Sequence, residues 1–271
     1  MATVTVGDTD IVYHQSGEGP DIVWVSGGGG NGSSWRLFQT PAFDDAFRST
    51  SFANRGVGET VCRAPLPWSV GDLAKDTAGL IEAVCNPPVA IVGLSMGGFT
   101  VLQLALDRPD LITVAVAMGC AASGHEGWLG DYMGAEVEYR RNGGRLDGLM
   151  STIHYATQLY PAQALGDPVL WPIIRERLGA SWEADNERSL IGQWQACIDF
   201  DVTDRLPACT TALHVFVFEE DVQAPPQFGR KVADLVPGAE LHSFPGMGHC
   251  SLYGHRQNTI NAEIRTILEA V

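Results

Sequence analysis

Three residues far apart in the chain have side chains that could carry out nucleophilic chemistry together: Ser95, a carboxylate near position 221, and His249. A serine hydroxyl attacks a carbonyl well only when a base removes its proton, and an imidazole serves best when a carboxylate fixes its tautomer. Ser95 stands in Gly93-Leu94-Ser95-Met96-Gly97, and His249 ends the glycine-rich run Pro245-Gly246-Met247-Gly248. A ring in such a loop is free to point into a cleft. Spacing leaves Glu219, Glu220 and Asp221 as competing acids. Of the other histidines, His14 and His214 fall within strand patterns, His242 alternates with Leu241 toward solvent, and His125 and His154 lie in a helical stretch.

The elements around these residues explain why they could be presented. Val89-Ala90-Ile91-Val92 is an uncharged apolar run suited to a strand buried on both faces of a parallel sheet. Phe99 to Leu106 reads as a helix, so the chain must reverse sharply at Ser95. Such a turn strains its central residue and excludes a Cβ two positions away, which Gly93 and Gly97 satisfy. The hydroxyl is then exposed at the strand end, with the free N–H groups of a helix N-terminus beneath it. An earlier buried strand, Ile22 to Val25, runs into Ser26-Gly27-Gly28-Gly29-Gly30. Four glycines after a central strand imply positive φ or close approach of the backbone to something. The functional reading is an oxyanion loop, with the N–H groups of Gly28 and Met96 holding a tetrahedral intermediate. The competing readings are a surface loop and a phosphate loop, but no Gly-Lys-Ser/Thr follows.

Further strands are read at Thr3–Val6, Ile11–His14, Ser51–Asn54, Leu111–Met118, Thr211–Phe218 and Ala239–Phe244. Helices are read at Ser69–Val84, opened by a Ser69/Asp72 capping box, and from Asn258. Residues 123–200 contain no strand pattern and carry Trp128, Trp171, Trp182 and Trp194, four of the seven tryptophans. This stretch is read as a helical cap inserted after the sixth strand, over a core made of residues 1–122 and 201–271. Its tryptophans would wall an apolar pocket.

Composition sets outer bounds. A length of 271 residues suits one α/β unit with an insertion, and a net charge of −15 argues against nucleic acid or an anionic membrane as partner. Six cysteines without a CxxC pair read as reduced thiols of a cytoplasmic protein, with Cys250 beside His249 the one to watch. The start of the chain lacks a basic and an apolar leader region, and no run of 18 apolar residues occurs. Neither metal nor cofactor is expected, because the histidines are dispersed and no HExxH or Cys/His spacing is present.

On these motifs the chain resembles the α/β-hydrolase superfamily, and in particular small bacterial lipase-like or 3-oxoadipate enol-lactonase-like hydrolases. The resemblance rests on Gly93-Leu94-Ser95-Met96-Gly97-Gly98, on Asn54-Arg55-Gly56-Val57-Gly58-Glu59-Thr60, on Asp221 followed by Pro225-Pro226, on Gly248-His249, and on the chain order of nucleophile, acid and histidine. It implies an α/β-hydrolase fold with a mostly parallel central sheet flanked by helices, and it selects Asp221 over Glu219 and Glu220. Two departures stand out: Ser26-Gly27 replaces the family's His-Gly, and Phe218 replaces a glycine three before the acid. The implied activity is cofactor-independent cleavage of a small carboxylic ester or lactone through an acyl-enzyme on Ser95. The same triad could also serve a C–C hydrolase, a thioesterase or a cyclising acyltransferase, and the same fold a ligand receptor.

Overall fold

The computed structural model describes residues 1–181 and 187–271. The chain begins with an antiparallel pair, β1 (Ala2–Val6) and β2 (Thr9–Ser16), and then enters the core as β3 (Asp21–Val25). Helix α1 (Ser33–Phe38), strand β4 (Arg48–Phe52) and a two-residue strand β5 (Val61–Cys62) follow. Next come α2 (Val70–Val84), β6 (Val89–Leu94), α3 (Met96–Asp107) and β7 (Ile112–Met118). Among the described residues, five helices lead to the next strand: α4 (Gly127–Arg141), α5 (Gly148–Leu159), α6 (Ala162–Leu165), α7 (Leu170–Ser181) and α8 (Glu187–Ile198). The chain ends with β8 (Ala212–Phe218), α9 (Pro226–Leu235), β9 (Glu240–Phe244) and α10 (Gln257–Leu268).

The sheet order is β1-β2-β4-β3-β6-β7-β8-β9, with β5 on β2. From β4 to β9 every pairing is parallel, and the antiparallel pairings are confined to the β2 edge. The expected hairpin and the buried run at 89–94 are therefore present. The helical stretch follows the seventh strand rather than the sixth, because Val61–Cys62 adds a short strand too brief to leave a periodic signal. The final strand begins at Glu240, and β4 begins three residues before the Ser51 read from sequence.

All six residues of β6 are buried, as a strand covered on both faces requires. One face packs an apolar cluster beneath α2 and α3, including Leu73, Leu80, Ile81, Val101 and Leu104. The other packs Trp24, Trp35, Phe43, Phe216 and Phe244 against Ile260 and Ile264 of α10. Ser69 and Asp72 form the capping box at α2, each side chain bonding the other's backbone N–H. Behind β2, the Arg55 guanidinium makes two 2.7 Å bonds to the buried Asp76 carboxylate, which fixes the loop leaving β4 onto α2. No helix among the described residues is long and apolar enough to cross a membrane.

Candidate active site

Ser95 is the one non-glycine residue at positive φ among the described residues, with φ 58° and ψ −122°. Its N–H donates to Met118 O at 2.9 Å, which ties the turn to the end of β7. The flanking glycines are forced by contact: a Cβ on Gly93 would collide with Gly97 O, and one on Gly97 with Val25 O. Helix α3 thus begins at the residue after Ser95 and presses directly on the ends of β3 and β6. Ser95 makes no side-chain capping bond to this helix.

Asp221 and His249 meet in the loops after β8 and β9. Nδ1 of His249 lies 2.6 Å from Oδ2 of Asp221, and both side chains are almost wholly buried. The other oxygen, Oδ1, accepts the N–H groups of Gln223 at 2.9 Å and Ala224 at 2.8 Å, so the carboxylate is oriented from both sides. With a carboxylate at Nδ1 the ring carries its proton there, and Nε2 is left with a lone pair. Nε2 is buried and has no hydrogen-bond partner among the described residues. Glu219 is engaged elsewhere, with Arg230 and Ser243.

Gly119, which the sequence reading did not single out, joins the parts. It follows Met118, has φ +51°, and a Cβ there would lie 3.1 Å from Cε1 and Nδ1 of His249 and 3.3 Å from Oδ2 of Asp221. Met118 O thus holds the Ser95 backbone while the next residue, Gly119, packs against the His249 ring. A glycine at the end of a buried strand was the available signal.

Ser95, His249, Gly27 to Gly30, Met96 and Gly119 line one cavity of about 470 Å³. Helix α8 crowds two of the loop's four glycines. A Cβ on Gly28 would lie 2.8 Å from Trp194 Nε1, and one on Gly29 2.8 Å from Leu190 Cδ2. Gln193, fully buried on the same helix, accepts the Gly29 N–H at 2.8 Å and donates from Nε2 to Arg55 O at 2.8 Å. Gly30 N–H is committed to Gly27 O, and Asn54 Nδ2 donates to Ser26 O and Gly27 O. Two of the loop's four N–H groups are thus committed, Gly29 to Gln193 and Gly30 to Gly27 O, while Gly28 is exposed and lines the same cavity as Ser95. Gln193 carried no signal in the sequence, being one polar residue of a polar helix.

The four tryptophans separate. Trp194 lines the cavity. Trp128 does not: it is 56% exposed, stacks on Tyr132 and donates to Val222 O, because Leu129, Tyr132 and Met133 are the α4 residues that turn inward. Trp171 is half-buried against the apolar cluster on the α10 side of the sheet and is not part of the cavity lining. Trp182 lies outside the described residues. The remaining wall is supplied by Leu129, Met133, Leu159, Leu178 and Leu190. Among the described lining residues, Arg177 carries the permanent charge, and its guanidinium lies 5.0 Å from the Tyr253 ring centroid and donates to Tyr160 OH. Behind the wall, buried Glu136 lies 2.9 Å from His154 Nε2, while Arg140 donates to Tyr155 OH at 2.7 Å. Cys250 lines the cavity, but burial pushes its thiol up to about 11, so it stays protonated and is no rival nucleophile. All six cysteines are free.

A mostly parallel sheet with a serine at a strained strand-to-helix turn, and helices inserted before the last two strands, defines an α/β hydrolase. The chain belongs to the alpha/beta hydrolase family, whose model matches residues 22–262. It is 28% identical over 277 residues to the putative non-heme bromoperoxidase BpoC of Mycobacterium tuberculosis, covering 97% of this chain and 98% of that one. A putative carbamate hydrolase, RutD of Klebsiella pneumoniae, is 24% identical over 256 residues, covering 93% and 92%. The solved enol-lactonase of Burkholderia xenovorans superposes with a TM-score of 0.84 at 22% identity, over 99% of this chain and all of that one.

Proposed function

We propose that this protein is a serine hydrolase that cleaves a small carboxylic ester or lactone through an acyl-enzyme on Ser95. The observation that carries the reading is the strained Ser95 on the same cavity as a buried Asp221–His249 pair whose outer nitrogen, Nε2, makes no hydrogen bond among the described residues. In this mechanism Nε2 takes the Ser95 proton as the hydroxyl attacks the carbonyl, and the Asp221 carboxylate stabilises the imidazolium through Nδ1–H. The N–H groups of Gly28 and Met96 hold the developing oxyanion; Gly29 and Gly30 are excluded as donors by their bonds to Gln193 Oε1 and Gly27 O. His249 returns the proton to the leaving oxygen, and water then releases the acid by the same steps. Helices α4 to α8 act as the cap, and their apolar residues choose the acyl or leaving group by shape. A cavity of about 470 Å³ suits a small molecule rather than a polymer.

The test is labelling by a fluorophosphonate, followed by a panel of p-nitrophenyl esters, lactones, thioesters and carbamates. Labelling that disappears in Ser95→Ala, together with ester or lactone turnover, is expected. A wild-type chain that neither labels nor turns over any member would refute the proposal. The carbamates belong in the panel because a relative bears that name.

A further inference from the structure

At the opposite end of β8 and β9 from the candidate site, adjacent strands gather residues that the sequence keeps apart. His214 pairs in register with Glu240, and Phe216 with His242, so His214, Glu240 and His242 project from one face of the sheet. Nδ1 of His214 lies 3.0 Å from Nε2 of His242 and 3.9 Å from Oε2 of Glu240. The three donor atoms lie within 4.8 Å of one another. From α10, Glu263 Oε1 lies 2.8 Å from His242 Nδ1.

We propose that His214, Glu240 and His242 form a binding site for a divalent transition-metal ion of the zinc type, with Glu263 orienting His242. Two imidazoles and a carboxylate are a ligand set that zinc accepts. A carboxylate that accepts the proton on one ring nitrogen directs the lone pair on the other toward the ion, as metal-bound histidines commonly show. Here Glu263 takes the Nδ1–H, and Nε2 of His242 faces His214. Zinc–nitrogen bonds of about 2.0–2.1 Å can span donors up to about 4 Å apart. The two rings already meet that limit, and the Glu240 side chain, 68% exposed, is free to swing in and leaves the ion a path from solvent. The alternative is a plain imidazole–imidazole hydrogen bond, which has no use for Glu240.

The ion would cross-link the strands whose following loops carry Asp221 and His249. The test is titration of the full chain with Zn²⁺ against a chromophoric chelator, with Co²⁺ as a spectroscopic probe of nitrogen and oxygen ligation. One equivalent is expected to bind. His242→Ala should abolish this binding and Glu240→Gln weaken it. Glu263→Gln, which removes no ligand, should lower affinity about 10–100-fold. Circular dichroism establishes that each variant is folded, and Glu240→Gln, at an exposed position, keeps the test open should His242→Ala fail to fold. Absence of stoichiometric binding in the wild type, or binding unchanged within error in Glu240→Gln, overturns the proposal.

Discussion

Replacing Gln193 with methionine keeps the length and packing of the side chain while removing both of its hydrogen bonds, one to Gly29 N–H and one to Arg55 O. Each buried group left without a partner costs about 1–3 kcal/mol. Gly29 is partly accessible from the cavity, so water can satisfy its N–H and its cost falls at the low end. Arg55 is 9% exposed, so its carbonyl bears more of the penalty. Together the loss is about 2–4 kcal/mol of stability, measurable as a lower urea midpoint with an unchanged slope. The kinetic effect is separate. Gly28, the neighbour of Gly29, is the proposed oxyanion donor, and deleting such a donor outright costs about 10²–10³ in kcat. Loosening the loop without deleting the donor should cost less, about tenfold, and should appear in kcat with KM nearly unchanged. Steady-state hydrolysis of a small p-nitrophenyl ester at a temperature where the variant is folded reads this directly. A variant with the lower midpoint but wild-type kcat would refute the idea that α8 positions the loop, and one unchanged in both would mean that the two bonds contribute nothing.

Asp221→Asn should lower kcat by about 10⁴, the loss expected when the acid of a Ser-His-Asp triad no longer fixes the imidazole tautomer, whereas Glu219→Gln should be mild because Glu219 is held by Arg230 and Ser243; a dead Glu219 variant would reassign the acid. Gly119→Ala places a Cβ 3.1 Å from the His249 ring at φ +51°, so it should cost about 1–2 kcal/mol of stability and several-fold in kcat, read by urea unfolding and ester turnover. Ser95→Gly and Ser95→Ala should both abolish labelling, but the glycine variant should be the more stable in thermal unfolding. Relief of backbone strain of about 1–3 kcal/mol outweighs the flexibility glycine adds to the unfolded chain, about 0.5–1 kcal/mol. Trp194→Leu should shift the preference between small and bulky acyl groups by about 1–3 kcal/mol, while Trp128→Leu, on the outer face, should leave the ratio unchanged.

The residues whose constraint is local were legible in the sequence. Gly93, Ser95 and Gly97 declare themselves because a tight turn forbids a Cβ at two positions, and the unbroken apolar run of β6 declares a strand covered on both faces. Asp221 needed the family pattern, since three adjacent acids satisfy the same spacing, and only its bond to His249 distinguishes it in space. What escaped depends on contacts between distant segments. Gln193 matters because of Gly29 and Arg55, which lie 164 and 138 positions away, and His242, read as facing solvent, is held between His214 and Glu263. Trp128 and Trp171 misled for the reciprocal reason: composition gives the number of rings in a helical stretch, but not which side of each helix turns inward.

The chain enters and leaves its helical run, α4 to α8, through a narrow seam. Val202 N–H donates to Ala122 O and Gly124 N–H to Phe200 O, with Ser123 and Asp201 bridged between them. The two ends are thus held side by side, as in an ordinary antiparallel turn. To the sheet, everything between them is a loop, and the entropy of closing a loop grows only slowly, by about 0.6 kcal/mol for each doubling of its length. Insertions, deletions or a wholly exchanged helical segment at this seam therefore leave the strand register that sets Asp221 and His249 untouched. Selection can remodel substrate preference at this point as long as the few bonds that reach back to the core are kept, Gln193 to Gly29 and Arg55 and Leu159 O to Cys250 N–H, and a recombination experiment that grafts another relative's helices between Ala122 and Val202 while retaining those contacts has natural cut sites on which to act.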